Sequence, residues 1–191
     1  MSIQQRRERE RADRHRLIVA AARDLAETEG WEAVTTRRLA ERVEYSQPVL
    51  YSHFKGKDAI VSAVAVDGCG DLAKTLTEAR AAHPDNPAEA LRAVAEAYLD
   101  FAKTCPALYD AMFVQRTNIP FGTPDSPQEL KAAFGAFVAV VKPLAGQDDV
   151  ETLTETLWSA LHGLATLTGS TRLRPDHHNA RLDLLLRRLL P

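Results

Sequence analysis

Cysteine is nearly missing from this 191-residue chain, which has only Cys69 and Cys105. Two such cysteines make neither a disulfide framework nor a zinc-ligand pair, so the reading is a reducing, cytoplasmic compartment and no metal. Long apolar runs are also missing. None approaches the roughly 20 residues of a membrane span, and the charged N-terminus does not read as a secretory signal, so no membrane partner is expected. The chain lacks alternating β-branched stretches, which leaves strands without a signal. It has no Gly-rich phosphate loop, no nucleophile elbow and no HExxH helix, so no catalytic residue and no cofactor is assigned. His177 and His178 in "DHHNARLD" are adjacent, point apart on a helix and do not make a ligand pair. Net charge is small, −2, but unevenly spread: residues 1–57 carry 12 Lys+Arg against 9 Asp+Glu, and the remainder 12 against 17. A mildly basic front and an acidic rear are compatible with one end facing phosphates.

What remains is helical pattern. Apolar residues make up 45% of the chain, ample for a core. The opening "MSIQQRRERERADRHR" reads either as a solvated arm or as an extension of the helix behind it. Leu17, Ala21 and Leu25, flanked by Ile18 and Ala22, form an apolar stripe, and Gly30 stops a first helix placed at about residues 10–29. Thr35 caps a second, "TRRLAERV", that buries Leu39, Ala40 and Val43. Ser46, with Pro48 in the first turn, starts a third, of only about eight residues, whose buried positions are Leu50 and Phe54. Gly56 then opens a long helix that contains Gly68 and Gly70 as soft spots. Further helices are expected over about 87–104, 106–116, 127–143, 148–170 and 176–189, separated by Pro106, "NIPFGTPDSP" and "RLRP". The fold class is all-α. The expected domains are a three-helix helix-turn-helix module with its basic arm at 1–57, and a larger helical domain at 58–191.

The third helix is too short to be stable alone, yet it carries Gln47, Val49, Tyr51, Ser52 and His53 away from its buried side. A helix fits the major groove of B-DNA, where Gln47 can pair with adenine, Val49 can pack on a thymine methyl, and Ser52 can donate or accept. Tyr51 and His53 suit phosphate oxygens at the groove walls. Lys57 stands in the first turn of its helix, where a cation opposes the helix dipole unless a phosphate sits on that N-terminus. Thr36 and Arg37 can do the same on the opposite wall. The competing reading of this polar face is a solvated connector. One local feature disagrees with an ordinary helix-turn-helix: Glu44 stands where the turn is comfortable as Gly, so either Glu44 takes a left-handed conformation or the turn has another geometry.

"VTTRRLAERVEYSQPVLYSHFKGKDAIVSAV", with the amphipathic helix before it, strongly resembles the N-terminal DNA-binding domain of TetR-type transcriptional regulators. The resemblance covers about residues 13–66. It implies a dimeric regulator, in that family mostly a repressor, whose third helix enters the major groove and whose C-terminal domain binds a small effector. Carried onto this chain, it implies DNA contacts by Thr36, Arg37, Gln47, Pro48, Val49, Tyr51, Ser52, His53 and Lys57. "YLDFAKTCPALYDAMF" and "LWSALHGLATL" resemble the C-terminal domain of one TetR subgroup named after a Trp-His-Gly feature, spelled here as Trp158, His162 and Gly163.

In the rear portion, Tyr98, Phe101, Met112 and Phe113 lie at helical spacings on two helices joined at Pro106, with Phe134 and Phe137 on the next and Trp158 and His162 on the following one. They can line a mainly apolar pocket for an unknown small-molecule effector, or each can simply be core. Leu157, Leu161, Leu164, Leu167, Leu182, Leu185, Leu186 and Leu189 are expected to pack against their copies in a homodimer built from the last two long helices. A dimer presenting two reading helices about 34–36 Å apart reads a palindromic operator in double-stranded DNA. The rival readings are an enzyme-like or small-molecule-binding helical protein without specific DNA binding, and a helical scaffold.

Overall fold

The computed structural model describes residues 2–189; Met1, Leu190 and Pro191, the outermost residues of the two expected domains, lie outside that range. Nine α-helices follow one another among the described residues: α1 Ile3–Glu29, α2 Thr36–Arg42, α3 Gln47–His53, α4 Lys57–Ala81, α5 Pro87–Thr104, α6 Pro106–Phe113, α7 Gln128–Val141, α8 Val150–Gly169 and α9 His178–Leu189. Single 3-10 turns lie at Trp31–Ala33, Lys142–Leu144 and Pro175–His177, and no strand occurs in this range. The all-α reading holds. The chain divides into two compact units, one of Met1–Gly68 with Ala107–Pro120, the other of Cys69–Pro106 with Phe121–Pro191.

The first unit is organised around α1. This helix begins seven residues earlier than its apolar stripe predicts, because its first turns are held by polar groups alone. Ser2 and Gln5 form a capping box, Arg6 and Arg14 pair with Glu10, and Arg16 pairs with Asp13. The buried face is Ile18, Val19, Ala22, Leu25 and Ala26. Leu17, placed on the stripe by spacing, is 47% exposed. At 100° per residue the stripe Ile18–Ala22–Leu25 captures the core and leaves Leu17 to one side. The same unit also buries Val34, Leu39, Leu50, Ile60 and Val64, all with no exposed surface. The Thr35 hydroxyl accepts from the Arg38 N–H, as a cap of α2 should. Ser46, by contrast, caps α3 through position only, with no side-chain hydrogen bond.

Glu44 takes the left-handed conformation, φ 56°, so the helix-turn-helix keeps its geometry at the cost of a strained non-glycine residue. With seven residues, α3 has too few hydrogen bonds to nucleate alone. Leu50 and Phe54, 0% and 4% exposed, anchor it to the core, each burial contributing about 1.5–3 kcal/mol. In the same unit α4 meets α6 at Gly68, where a Cβ would stand 2.6 Å from Leu108 Cδ1 and 2.8 Å from Met112 Sδ. Gly68 is therefore a point of close helix approach rather than a soft spot.

The second unit comprises the later part of α4 with α5, α7, α8 and α9. Asn86 and Asp149 cap α5 and α8 by accepting the N–H groups of Glu89 and Thr152. Its core holds Leu72, Leu76, Val94, Ala95, Tyr98, Val141, Leu157, Leu161 and Leu182, none more than 1% exposed. Of the eight leucines assigned to a dimer interface, Leu157, Leu161, Leu182 and Leu186 are buried in the chain's own core. Spacing alone put all eight on an outer surface, but α8 and α9 use one side of that stripe inward. Leu164, Leu185 and Leu189 remain half-buried, and Leu167 is 41% exposed.

Candidate nucleic-acid interface

Helices α2 and α3 present the expected polar face. Gln47 and Pro48 at the start of α3 are exposed, Val49 is half-buried, and Tyr51 is 54% exposed. The Ser52 hydroxyl is also exposed but donates back to the Val49 carbonyl at 2.6 Å. That bond consumes its proton and leaves the oxygen's lone pairs for an outside donor. Thr36, the first residue of α2, places its Oγ1 3.4 Å from Tyr51 Oη, so the two helices share one polar edge. Arg37 extends over α2 and pairs with Glu41 at 3.0 Å in an exposed ion pair. Such pairs are worth little in water, and the guanidinium can exchange Glu41 for a stronger anion at small cost.

Two members of the set are held inward. His53 is half-buried, its ring centroid 6.3 Å from that of His15, and His15 in turn stacks on Phe54 at 4.5 Å. Sequence spacing put His53 on the free face; the long α1 runs beside the end of α3 and covers it. Burial, and after it the charges of His15, Arg11 and Arg14, push the His53 imidazole below its ordinary range. His15 is pushed the same way by burial and by Arg11. Lys57 is half-buried, and its ammonium donates to the Trp31 carbonyl at 2.6 Å. An ammonium has three donors, so this bond orients Lys57 beside the start of α4 without exhausting it.

Groups that spacing does not single out hold this face in place. Arg38 makes a two-pronged pair with Glu29, at 2.8 and 2.7 Å, and Arg42 pairs with Asp24, so α2 is tied to α1 along its length. The Arg38 guanidinium holds the Glu29 carboxyl below the usual carboxylate range. Glu27 accepts the N–H groups of Ala107 and Leu108 at 3.1 and 2.9 Å, one on each oxygen, and Trp31 Nε1 donates to the Ala107 carbonyl at 2.8 Å. The first turn of α6 is thereby latched to the helix-turn-helix scaffold. These partners lie 76 to 81 residues apart, and no local pattern announces them.

The residues assigned to an effector site fall in both units. Met112 and Phe113 belong to the first, where Met112 packs on Gly68 and Phe113 lies 4.9 Å from Tyr109. In the second, Tyr98, Phe101 and Phe137 are buried, and Phe134, Trp158 and His162 half-buried. Tyr98 and Phe137 meet edge to face at 5.4 Å, and Trp158 Nε1 donates to the Tyr98 hydroxyl at 3.0 Å. Burial pushes His162 below its ordinary range, which leaves it a neutral donor and acceptor at pH 7. Cys69 is buried and its thiol is pushed up to about 12, first by burial and then by Glu129, so it stays protonated and unreactive.

Comparison with known proteins bears on both units. Residues 18–64 match the family model for bacterial regulatory proteins of the tetR family, and residues 91–190 that for the tetracyclin repressor-like C-terminal domain. An uncharacterized HTH-type transcriptional regulator of Mycobacterium tuberculosis is 30% identical over 154 residues, 78% of this chain and 67% of that protein. Another, from Bacillus subtilis, is 30% identical over 100 residues, 52% of this chain but only 51% of its own length. Among solved structures, the transcriptional regulator FadR of Bacillus subtilis in complex with stearoyl-CoA superposes with a TM-score of 0.66 at 15% identity, covering 89% of this chain and 96% of that one. At that identity the likeness is one of fold.

Proposed function

The chain belongs to the TetR family of bacterial transcriptional regulators, and on that premise we propose that it is a repressor: a homodimer that binds a palindromic operator and is released by a small, largely apolar effector. The observation that carries the proposal is the construction of α3. Leu50 and Phe54 commit one side to the core, and Gln47, Pro48, Tyr51 and Ser52 stand in solvent on the other. A helix too short to fold alone is kept in place by two anchors so that four side chains able to read or grip a groove face outward. In this reading Gln47, Val49 and Ser52 read base edges. Thr36, Arg37, Tyr51, His53 and Lys57 hold phosphates and set the register, and Pro48 fixes the first turn.

The division of labour is DNA binding in residues 1–57 and effector binding and dimerisation in residues 58–191. Two short reading helices are needed because one contacts too few base pairs for selectivity, and a twofold dimer supplies the second. The half-buried and exposed leucines at 164, 167, 185 and 189 are the apolar surface of α8 and α9 left for that contact. Tyr98, Phe137 and Trp158, clustered in the second unit, support a mainly apolar effector with few polar anchors. Because a fold relative holds stearoyl-CoA, long-chain acyl compounds are the first class to screen. The effector must favour the conformation that does not fit the operator, since only differential affinity shifts the equilibrium.

The test is selection of bound duplexes from a random pool by the purified full chain, with affinities of the winners measured at two salt concentrations. Recovery of a palindrome bound two chains at a time supports the proposal. Absence of binding even at low salt sinks it.

A further inference from the structure

The helix-turn-helix segment carries no net charge. Residues 17–57 hold six Lys+Arg and six Asp+Glu, whereas residues 2–16 hold six arginines against three carboxylates. Five of its six cations have a partner within the chain: Arg37 with Glu41, Arg38 with Glu29, Arg42 with Asp24, Arg23 with Asp67, and the Lys57 ammonium with the Trp31 carbonyl; the sixth, Lys55, is exposed. Duplex DNA carries one negative charge per about 1.7 Å of axis, and phosphate neutralisation supplies most of the sequence-independent affinity of a reader. A segment of zero net charge has less of that long-range attraction than a basic one, whatever single cations it can turn to a phosphate. The excess positive charge of the front of the chain sits in the first turns of α1.

Those turns are aimed. Arg7, Arg11 and Arg14 follow one another at helical spacing on a single stripe, and the next positions on it are Ile18, Ala22 and Leu25, all buried against the unit's core. The stripe that faces the core below Ile18 thus becomes cationic above it. Its base adjoins the end of α3, where His15 lies against Phe54 and His53 and the charges of Arg11 and Arg14 act on His53. No carboxylate stands among the groups acting on that imidazole. Neither Arg7 nor Arg11 makes an ion pair among the described residues, while Arg14 reaches Glu10 at 3.6 Å. Glu10 is the one carboxylate on which Arg7 and Arg14 are seen to act, and it is shared with Arg6; an anion seated beside the stripe would lower the repulsion that remains among its cations.

We propose that the amino-terminal turns of α1 are a second DNA-contacting element, in which Arg7, Arg11 and Arg14, with His15 and His53 at their base, bind the phosphate backbone flanking the half-site under α3. The inference rests on the DNA-binding reading above and extends it to a helix outside the helix-turn-helix.

The experiment compares the parent protein with an R7Q/R11Q double variant on the selected operator and on a scrambled duplex, across a series of salt concentrations. Glutamine keeps the helix propensity of arginine, and both side chains are exposed, so folding is retained and is checked by circular dichroism. Loss of two phosphate contacts per protomer, about four in the bound dimer, lowers the slope of log K against log salt by about 3.6, weakens both duplexes by the same factor, and leaves the preferred sequence unchanged. A variant with the parent's slope and affinity overturns the proposal while leaving the operator reading intact. A changed base preference next to the half-site also overturns it, since base reading would then replace backbone contact. If the parent itself selects no sequence and shows no salt-dependent binding, the DNA-binding reading fails and this element falls with it.

Discussion

Replacing Glu27 with Ala tests whether the latch between α1 and α6 stabilises the first unit. Its two carboxylate oxygens accept the N–H groups of Ala107 and Leu108, at 3.1 and 2.9 Å, in the opening turn of an eight-residue helix. That turn has N–H groups without intrahelical partners, and its positive dipole end attracts a negative charge. A hydrogen bond to a charged acceptor contributes about 1.5–3 kcal/mol when shielded. Glu27 is only half-buried and water replaces part of what it offers, so about 2–4 kcal/mol is the expected loss for the pair. Glu27→Gln retains one oxygen acceptor without the charge and should lose about half as much.

The two tryptophans make the measurement clean, because Trp31 lies in the first unit and Trp158 in the second. In a Trp158→Phe background, fluorescence during urea unfolding follows the Trp31 environment alone. The parent should be more stable than Glu27→Gln, and Glu27→Ala the least stable, with a midpoint in a thermal scan lower by roughly 5–15 °C. A Glu27→Ala protein within 0.5 kcal/mol of the parent would refute the argument, since it would mean that water caps α6 as well as the carboxylate does.

Gly68→Ala sets helix propensity, a gain of up to about 1 kcal/mol, against overpacking on buried Leu108 and Met112, a cost of about 1–3 kcal/mol. Net destabilisation in urea unfolding is expected, and a stabilised variant would show that the two side chains move aside freely. Glu44→Gly removes a left-handed non-glycine residue and should raise stability by roughly 0.5–1 kcal/mol in the same assay; a loss would locate a stabilising role in the Glu44 side chain. Gln47→Ala should cost about 1–3 kcal/mol of operator affinity and relax preference at one base pair of each half-site, read by repeating the duplex selection, whereas equal loss on all sequences would contradict base reading.

The imidazoles give a pH dependence of definite sign. His15 and His53 are held below 6.5 in the free protein and are neutral at pH 7. If the proposed contacts form, phosphates beside these imidazoles favour the charged form, so binding should take up protons and affinity, measured on the selected operator, should rise as pH falls from 8 toward 6. A His15→Gln/His53→Gln variant should flatten that rise. Stability of the free chain has the opposite sign. Folding holds these groups in the neutral form, and that contribution, complete above the unfolded value near 6.5, is lost as pH falls through the lowered folded values.

Much of this protein was determined by terms that act within a few residues. Thr35, Asn86 and Asp149 cap helices where their hydroxyl, amide and carboxylate oxygens reach the nearby backbone N–H groups. Pro106 and the Pro-rich stretch at 119–127 break helices because proline has no N–H to offer the preceding turn. The Leu50–Phe54 spacing picks the buried side of α3, and with it the outward set beginning at Gln47. Tertiary structure decided what depends on distant partners. The covering of His53 by His15, the bond from Lys57 to Trp31 and the capping of α6 by Glu27 join residues 26 to 81 positions apart. So does the inward use of Leu157, Leu161, Leu182 and Leu186, which spacing could place on a stripe but not against a particular neighbour. Periodicity names the face of a helix. Which other helix, or which phosphate, that face meets is set by the path of the whole chain.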